Sequence, residues 1–542
     1  MPPVHSRRRF LVATAAMSAL TGSTLLGDLL RGGSPASADP LVGSSPTFTE
    51  VPVTLDDAVT VPPGHTARVL LPWGAPLRTD SPRWRPDAGN TAEEAARQVG
   101  TGHSGIGYLP LRPGQAGNRQ GLLVVTHSQV DRVLLRTDGG RAGDAAPTAK
   151  EMASLGATIA RVELVDGRWR VLGDELDHRL TGDSPTTPNG PLVGHPALDT
   201  GADPAGVLSG PGQATTPWGT CLTADAALDR ELTPNEARRS GWAVEVDPFD
   251  PDSAPMKRTA LGRMAHHGAT VTESRGRAVV YLCDDSHLYK FVGAHPWRER
   301  LRDRALGPLA EGALYAARTG SDGSGTWSPL VHGGSGLGEG EGFTDQADVL
   351  LRAGEAAEAV DATRLRGPGT PAVHPATGAV YLSEADGQGG GRILSLSEGA
   401  ADHGATLFSW HESTRTEAPP GGLHCGSDGR LWIHTDTTRI TDPRAWERAG
   451  NSALLCADPD GGRARRFLTG PRGCAIAGVA ATPDGRTLFV TVRGPGSATE
   501  HLGAPTVDDP RAVSNWPGFD PRGRPRSAVV VVRKDDGGVI GT

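Results

Sequence analysis

One local design recurs along the chain: a polar turn containing glycine, followed by a short apolar strand. Arg119-Gln120-Gly121 precedes Leu122-Leu123-Val124-Val125, and Arg275-Gly276-Arg277 precedes Val279-Val280-Tyr281-Leu282. Ala376-Thr377-Gly378 precedes Val380-Tyr381-Leu382, Asp428-Gly429-Arg430 precedes Leu431-Trp432-Ile433, and Asp484-Gly485-Arg486 precedes Leu488-Phe489-Val490. In the last four copies a second short strand leads into the turn: Ala269-Thr270-Val271, Pro371-Ala372-Val373, Gly422-Leu423-His424 and Gly478-Val479-Ala480. A glycine-bearing turn between two short strands is the signature of a hairpin. Hairpins spread over most of a chain, with variable insertions, read as the blades of an all-β propeller. A sandwich of unrelated hairpins is the alternative.

Helical patterns are few. Thr91 to Gln98 is one, and Thr344 to Val360 is another, with Thr344 as its N-cap and Val349, Leu350 and Ala353 on its apolar face. Both read as small insertions on a β scaffold. The glycine-rich stretches 333–342 and 387–391 lack the Lys-Ser/Thr ending and the strand–helix setting of a phosphate-binding loop. High glycine and proline (74 and 44 of 542 residues) suit many tight turns. A net charge of -8 without a long basic run argues against a nucleic-acid partner. The five cysteines, Cys221, Cys283, Cys425, Cys456 and Cys474, show no metal-type spacing. Their odd number leaves at least one thiol unpaired in a monomer, with room for one or two disulfides.

The N-terminus carries an export signal. Arg7-Arg8-Arg9-Phe10-Leu11 is a paired-arginine motif, a weakly apolar run follows to Leu30, and Ala36-Ser37-Ala38 is a small-x-small cleavage site. Residues 1–38 are therefore expected to be a twin-arginine signal peptide, 39–47 a linker and 48–542 a single propeller domain. The twin-arginine machinery is the expected export partner. No later apolar run could cross a bilayer, so the mature chain is expected to be extracellular, periplasmic or cell-wall associated.

Longer strings carry a family likeness. Gly241-Trp242-Ala243-Val244-Glu245-Val246-Asp247-Pro248-Phe249-Asp250, followed by Lys257-Arg258-Thr259-Ala260-Leu261-Gly262-Arg263, resembles the hallmark of PhoX-type alkaline phosphatases. Thr216-Pro217-Trp218-Gly219-Thr220, Phe343-Thr344-Asp345-Gln346-Ala347, Gly470-Pro471-Arg472-Gly473-Cys474 and Arg524-Pro525-Arg526-Ser527-Ala528 match in the same order. The resemblance implies a six-bladed propeller with an iron and calcium centre in its channel, held by carboxylates and a thiolate, that hydrolyses phosphate monoesters. Such a cation cluster needs several anionic oxygen ligands, and an arginine helps hold the phosphate.

At the positions where that family carries its site, this sequence departs. By the resemblance, the thiolate position is Ala224, followed by Asp225 and Ala226 where two carboxylates are expected. His267 stands at a glutamate position beside His266. Gly367 and Gly369 replace the phosphate-holding arginine and a carboxylate, and Ala475 replaces a glutamate. Thr126-His127-Ser128 replaces Asn-His-Glu, and Gly421 lies where an aspartate is expected. His267, Gly369, Gly421 and Ala475 each fall at the start of a strand leading into a repeat turn, the expected channel-facing position. The first expectation is a protein of the phosphatase family whose metal centre is degenerate, with iron and calcium reduced or absent and hydrolysis weak or lost. The second is a remodelled single-ion site drawn from Asp225, His266, His267, His127, Asp284 and Asp285. The third is a secreted binding propeller that takes a small phosphorylated or other ligand in its channel, with Trp242, Trp410 and Trp446 as rim candidates.

Overall fold

The computed structural model describes residues 45–140, 148–196, 198, 209–225, 240–301, 307–334, 336–458 and 462–542, with the backbone alone at Ser209 and Asp225. The signal peptide, most of the linker, and Ala226 lie outside the described residues.

Strands dominate. After β1 (His65–Pro72), the first meander is β2 (His103–Pro110), β3 (Gln120–His127), β4 (Gly156–Val165) and β5 (Arg168–Val171), with β6 (His178–Leu180) also on β4. The second comprises β7 (Thr187–Asn189), β8 (Ser209–Thr215), β9 (Cys221–Asp225), β10 (Ala243–Val246) and β11 (Met256–Arg258), in the order β8-β9-β10-β11-β7. The third is β12 (Gly268–Ser274), β13 (Arg277–Cys283), β14 (Leu288–Pro296) and β15 (Gly312–Thr319), followed by β16 (Ser324–Pro329). The fourth is β17 (Ala372–Val373), β18 (Val380–Ala385), β19 (Gly391–Glu398) and β20 (Leu407–Thr416). The fifth is β21 (Pro420–Cys425), β22 (Leu431–Thr435), β23 (Ala453–Ala457) and β24 (Arg465–Thr469). The last is β25 (Ala475–Ala481), β26 (Thr487–Arg493) and β27 (Ala528–Lys534).

By continuous hydrogen bonding these form five sheets, because β16 pairs with both β15 and β20 and fuses the third and fourth meanders into nine strands. The innermost strands nonetheless follow one another around a ring, β2, β8, β12, β17, β21, β25 and back to β2. The sixth meander borrows its outermost strand from the N-terminus: β1 pairs antiparallel with β27 from His65–Lys534 to Pro72–Ala528. The first and last described strands are thereby joined in one sheet, which closes the ring.

The apolar strand runs are continuous because both faces are buried. Side chains alternate across a strand, so Leu122 and Val124 pack with Cys221 and Val244 of the second meander, while Leu123 and Val125 pack with Phe489 and Val531 of the sixth. Val280 and Leu282 likewise face the second meander, and Val279 and Tyr281 face Val380 and Leu394 of the fourth. Burying each such side chain contributes roughly 1.5–3 kcal/mol. Four of the five repeat glycines sit at their turns with positive φ, Gly276 at 78°, Gly378 at 71°, Gly429 at 85° and Gly485 at 65°, whereas Gly121 of the first copy lies inside β3 and is paired in the sheet.

Two local expectations shift. The helix expected over Thr91 to Gln98 is shorter, Ala92–Ala95, with Thr91 as its N-cap through a capping box with Glu94. The span from Thr344 splits into helices Gln346–Leu351 and Ala353–Ala359. Its N-cap is Asp345, not Thr344, because the Asp345 carboxylate accepts from the Asp348 amide at 2.8 Å. Arg352 leaves helical geometry (φ -119°, ψ 42°) between the two pieces.

Candidate functional site

The strings that carry the family likeness build a buried frame. Glu245, on β10, accepts from Trp218 Nε1 at 2.8 Å, Thr220 Oγ1 at 2.5 Å and Arg258 Nε at 2.7 Å. Arg258 is 1% exposed and also donates to Asn189 on β7. Three charge-assisted bonds from two neighbouring segments onto one carboxylate lock the second meander. At the tail, Arg524 donates to the Pro86 and Val133 carbonyls, and Arg526 lies 4.2 Å over the Trp84 ring. These residues hold the scaffold.

A cavity of about 270 Å³ opens where the third, fourth, fifth and sixth meanders meet the channel. His267, Gly367, Gly369 and Gly421 all line it. Ala475 is buried at the start of β25, pairing with Arg493, and Ala224 is buried on β9 opposite Ala243. Asp225 ends β9 opposite Ser209.

The other ionisable candidates are committed elsewhere. His127 is buried in the first meander, with Nε2 2.7 Å from Thr158 Oγ1 and Nδ1 3.1 Å from the Thr101 carbonyl. Burial, with Arg179 and His103 nearby, holds its pKa well below the usual histidine value. His266 is also buried and pushed down to about 4, chiefly by desolvation. Its Nε2 lies 3.3 Å from the Gly262 carbonyl. Asp284 closes the β13–β14 turn, accepting from the amides of Ser286 and His287 at 2.8 and 2.6 Å and from the Tyr289 hydroxyl at 2.7 Å. Asp285 is exposed and pairs with His267 Nε2 at 2.6 Å. The structure thus brings together His267 and Asp285, and leaves His127 and Asp284 in structural roles. Among the described residues no three His, Cys, Asp or Glu side chains are grouped to hold a metal ion. The donors among the described residues do not fit a cluster of iron and calcium, which requires many anionic oxygens around a shared centre.

At two positions where the resemblance implies ligands, the wall is built of glycine. A Cβ placed on Gly369 would lie 2.5 Å from Ser383 Oγ and 2.4 Å from the Gly421 carbonyl oxygen. A Cβ on Gly421 would lie 3.3 Å from Nδ1 of His434. His434 and Ser383 therefore pack against the glycines. Neither is conspicuous in the sequence: His434 ends the apolar run Leu431-Trp432-Ile433 and Ser383 lies within β18.

Of the tryptophans, Trp242 is fully buried in the core between the second and third meanders, so it is no rim residue. Trp410 is half-buried with Nε1 3.3 Å from the Gly320 carbonyl, and Trp446 stacks on His501 at 4.9 Å. All five cysteines are free thiols, four of them buried.

The family model described as alkaline phosphatase PhoX matches residues 46–496. The solved structure of Pseudomonas fluorescens PhoX in complex with vanadate, a transition state analogue, is 31% identical, with 92% of this chain and 99% of that chain covered and a TM-score of 0.81. A gluconolactonase from Xanthomonas campestris is 13% identical, with 73% and 84% covered and a TM-score of 0.30. A carbohydrate-active enzyme of family AA12 from Trichoderma reesei is 11% identical, with 90% and 99% covered and a TM-score of 0.34. Likenesses at that level carry no argument about this chain. No curated protein matches it.

Proposed function

The chain belongs to the alkaline phosphatase PhoX family, and we propose that it is an exported member whose propeller is kept while its hydrolytic metal centre is lost or severely weakened. The observation that carries this reading is Gly369. Where the resemblance calls for a carboxylate ligand, the backbone of Gly421 and the hydroxyl of Ser383 crowd the space a side chain would need. Ala224 and Ala475 support it, since neither can donate a lone pair to a cation. The frame strings, by contrast, keep their buried partners, with Glu245 and Arg258 as the clearest case.

Each anionic ligand removed lowers hard-cation affinity, and losing even the groups that orient ligands commonly costs roughly 10–100-fold. The Pseudomonas relative binds vanadate, an analogue of the phosphoryl-transfer transition state. A phosphoryl group in that state spreads charge over its oxygens, which cations and arginines must offset. With the cation ligands reduced, the chain is left with the shape of that site and little of its catalytic charge. The arginine pair Arg7-Arg8 and the site Ala36-Ser37-Ala38 support twin-arginine export, with the machinery of that pathway as partner and a location outside the cytoplasm.

Hydrolysis of an aryl phosphate by the mature chain, with iron and calcium supplied, tests the proposal. Turnover near the background rate is expected. Turnover of about 1 s⁻¹ or more, within the ordinary range for enzymes, would sink it.

A further inference from the structure

The altered cavity has its own chemistry. Arg493, at the end of β26, and Arg439 both reach Asp436 Oδ2, at 2.9 and 3.4 Å. Arg366 enters from the connector to the fourth meander and is exposed, with Nη1 3.2 Å from the Asp386 carbonyl. These three arginines line the cavity together with two carboxylates, Asp436 and Asp442. Asp442 caps a helix, accepting from the Ala445 amide at 2.7 Å. Three positive charges against two negative ones leave one positive charge in excess.

Two buried polar atoms beside this cavity lack partners. His434 is 5% exposed and its Nδ1 meets no hydrogen-bonding group; Ser383 is fully buried and its Oγ meets none. Nδ1 faces Gly421, and both His434 and Gly421 line the cavity, whereas Ser383 sits behind Gly369, outside the lining. An unsatisfied buried polar group costs about 1–3 kcal/mol and calls for an explanation such as a bound molecule. Burial and the adjacent Arg493 push His434 down to about 4, so its ring is neutral near pH 7. A hydroxyl can donate or accept, and so partners a neutral imidazole nitrogen in either tautomer. The cavity volume, about 270 Å³, is just under the range of drug-sized pockets and suits a small molecule.

We propose that this cavity binds a small hydroxylated monocarboxylate without a metal ion. Arg493, Arg439 and Arg366 meet the carboxylate, and His434 Nδ1 takes a hydroxyl group. The single excess charge favours a monoanion over the dianion of a phosphate monoester. This goes beyond the loss of hydrolysis and rests on it in one respect, that no cation is left to hold the anion.

Calorimetric titration of the mature chain, after dialysis against a chelator, tests it with three probes: glycerate, propionate and glycerol 3-phosphate. Glycerate is expected to bind at least tenfold more tightly than either of the others. R366A/R439A, at two exposed positions, should weaken glycerate at least tenfold with an unchanged melting temperature. H434L should abolish the preference for glycerate over propionate; should it not fold, the arginine pair decides. Equal binding of glycerate and propionate, no binding of glycerate up to about 10 mM (tenfold weaker than a millimolar complex), or tighter binding of glycerol 3-phosphate overturns the proposal. Glycerate binding that appears only without chelator overturns its metal-free character. The separate hydrolysis assay shows whether the phosphatase reading has failed with it.

Discussion

Replacing Gly369 by alanine isolates the crowding at the position where the resemblance implies a ligand. The backbone there does not need the left-handed region, so an alanine incurs no conformational strain. On that ground alone the change would stabilise by about 0.4–1 kcal/mol through the unfolded chain. Against it, the new methyl would meet a backbone carbonyl, Gly421, that cannot swing aside, and Ser383 Oγ at 2.5 Å. Overpacking of this kind costs about 1–3 kcal/mol. The net expectation is a loss of about 1–2 kcal/mol. Gly421→Ala is the internal control. Its methyl would meet His434 Nδ1 at 3.3 Å, a tight contact, with nothing nearer. That variant should stay within about 0.5 kcal/mol of the parent, as ordinary surface substitutions do. Urea unfolding of the mature chain reads both through the midpoint at constant slope. A neutral Gly369→Ala, or a Gly421→Ala that costs more than Gly369→Ala, would refute the claim that the wall has closed.

Three further outcomes are expected. Lys290 on β14 and Glu398 on β19 form a buried pair at 3.1 Å between the third and fourth meanders, with Tyr281 and Trp327 also donating to the carboxylate. Lys290→Met should cost about 3–5 kcal/mol in urea unfolding, and K290M/E398L should recover much of it, because one partner left alone is an uncompensated buried charge; a loss under about 1 kcal/mol from the single change would contradict this. Burial holds His266, His424 and His434 down to about 4 and His103 to about 3. Their unfolded rings accept protons near pH 6.5 that the folded rings refuse, so this stability is fully present above about 6.5 and is lost as pH falls toward 4; an unfolding midpoint unchanged between pH 7.5 and 5 would count against it. Thiol titration should find five reactive groups after unfolding and, at most, the half-buried Cys425 before it, with the melting temperature indifferent to reductant; fewer than five would reveal a disulfide.

The frame was legible because its signals are local and repeated. Gly276, Gly378, Gly429 and Gly485 mark turns whose positive φ only glycine adopts cheaply. Apolar runs such as Leu122 to Val125 announce strands buried on both faces. The second meander escaped this reading because its inner strand, Ser209–Thr215, reads SGPGQAT and carries no apolar pattern. The pairing of β1 with β27 is a contact across nearly the whole chain, which no local pattern encodes. At the site, the family likeness located positions that line the cavity, His267, Gly367, Gly369 and Gly421, but not what packs against them. His434, Ser383 and Arg493 are scattered polar residues on largely apolar strands, and their convergence is a product of the ring, not of their spacing.

The central claim is that the scaffold persists while the cation-binding chemistry has gone. Elemental mass spectrometry of the mature chain, exported through the twin-arginine pathway in medium replete with iron and calcium, tests it most directly. The account predicts well under one iron per chain and no tightly held calcium after desalting. Stoichiometric iron together with calcium retained through desalting would contradict it.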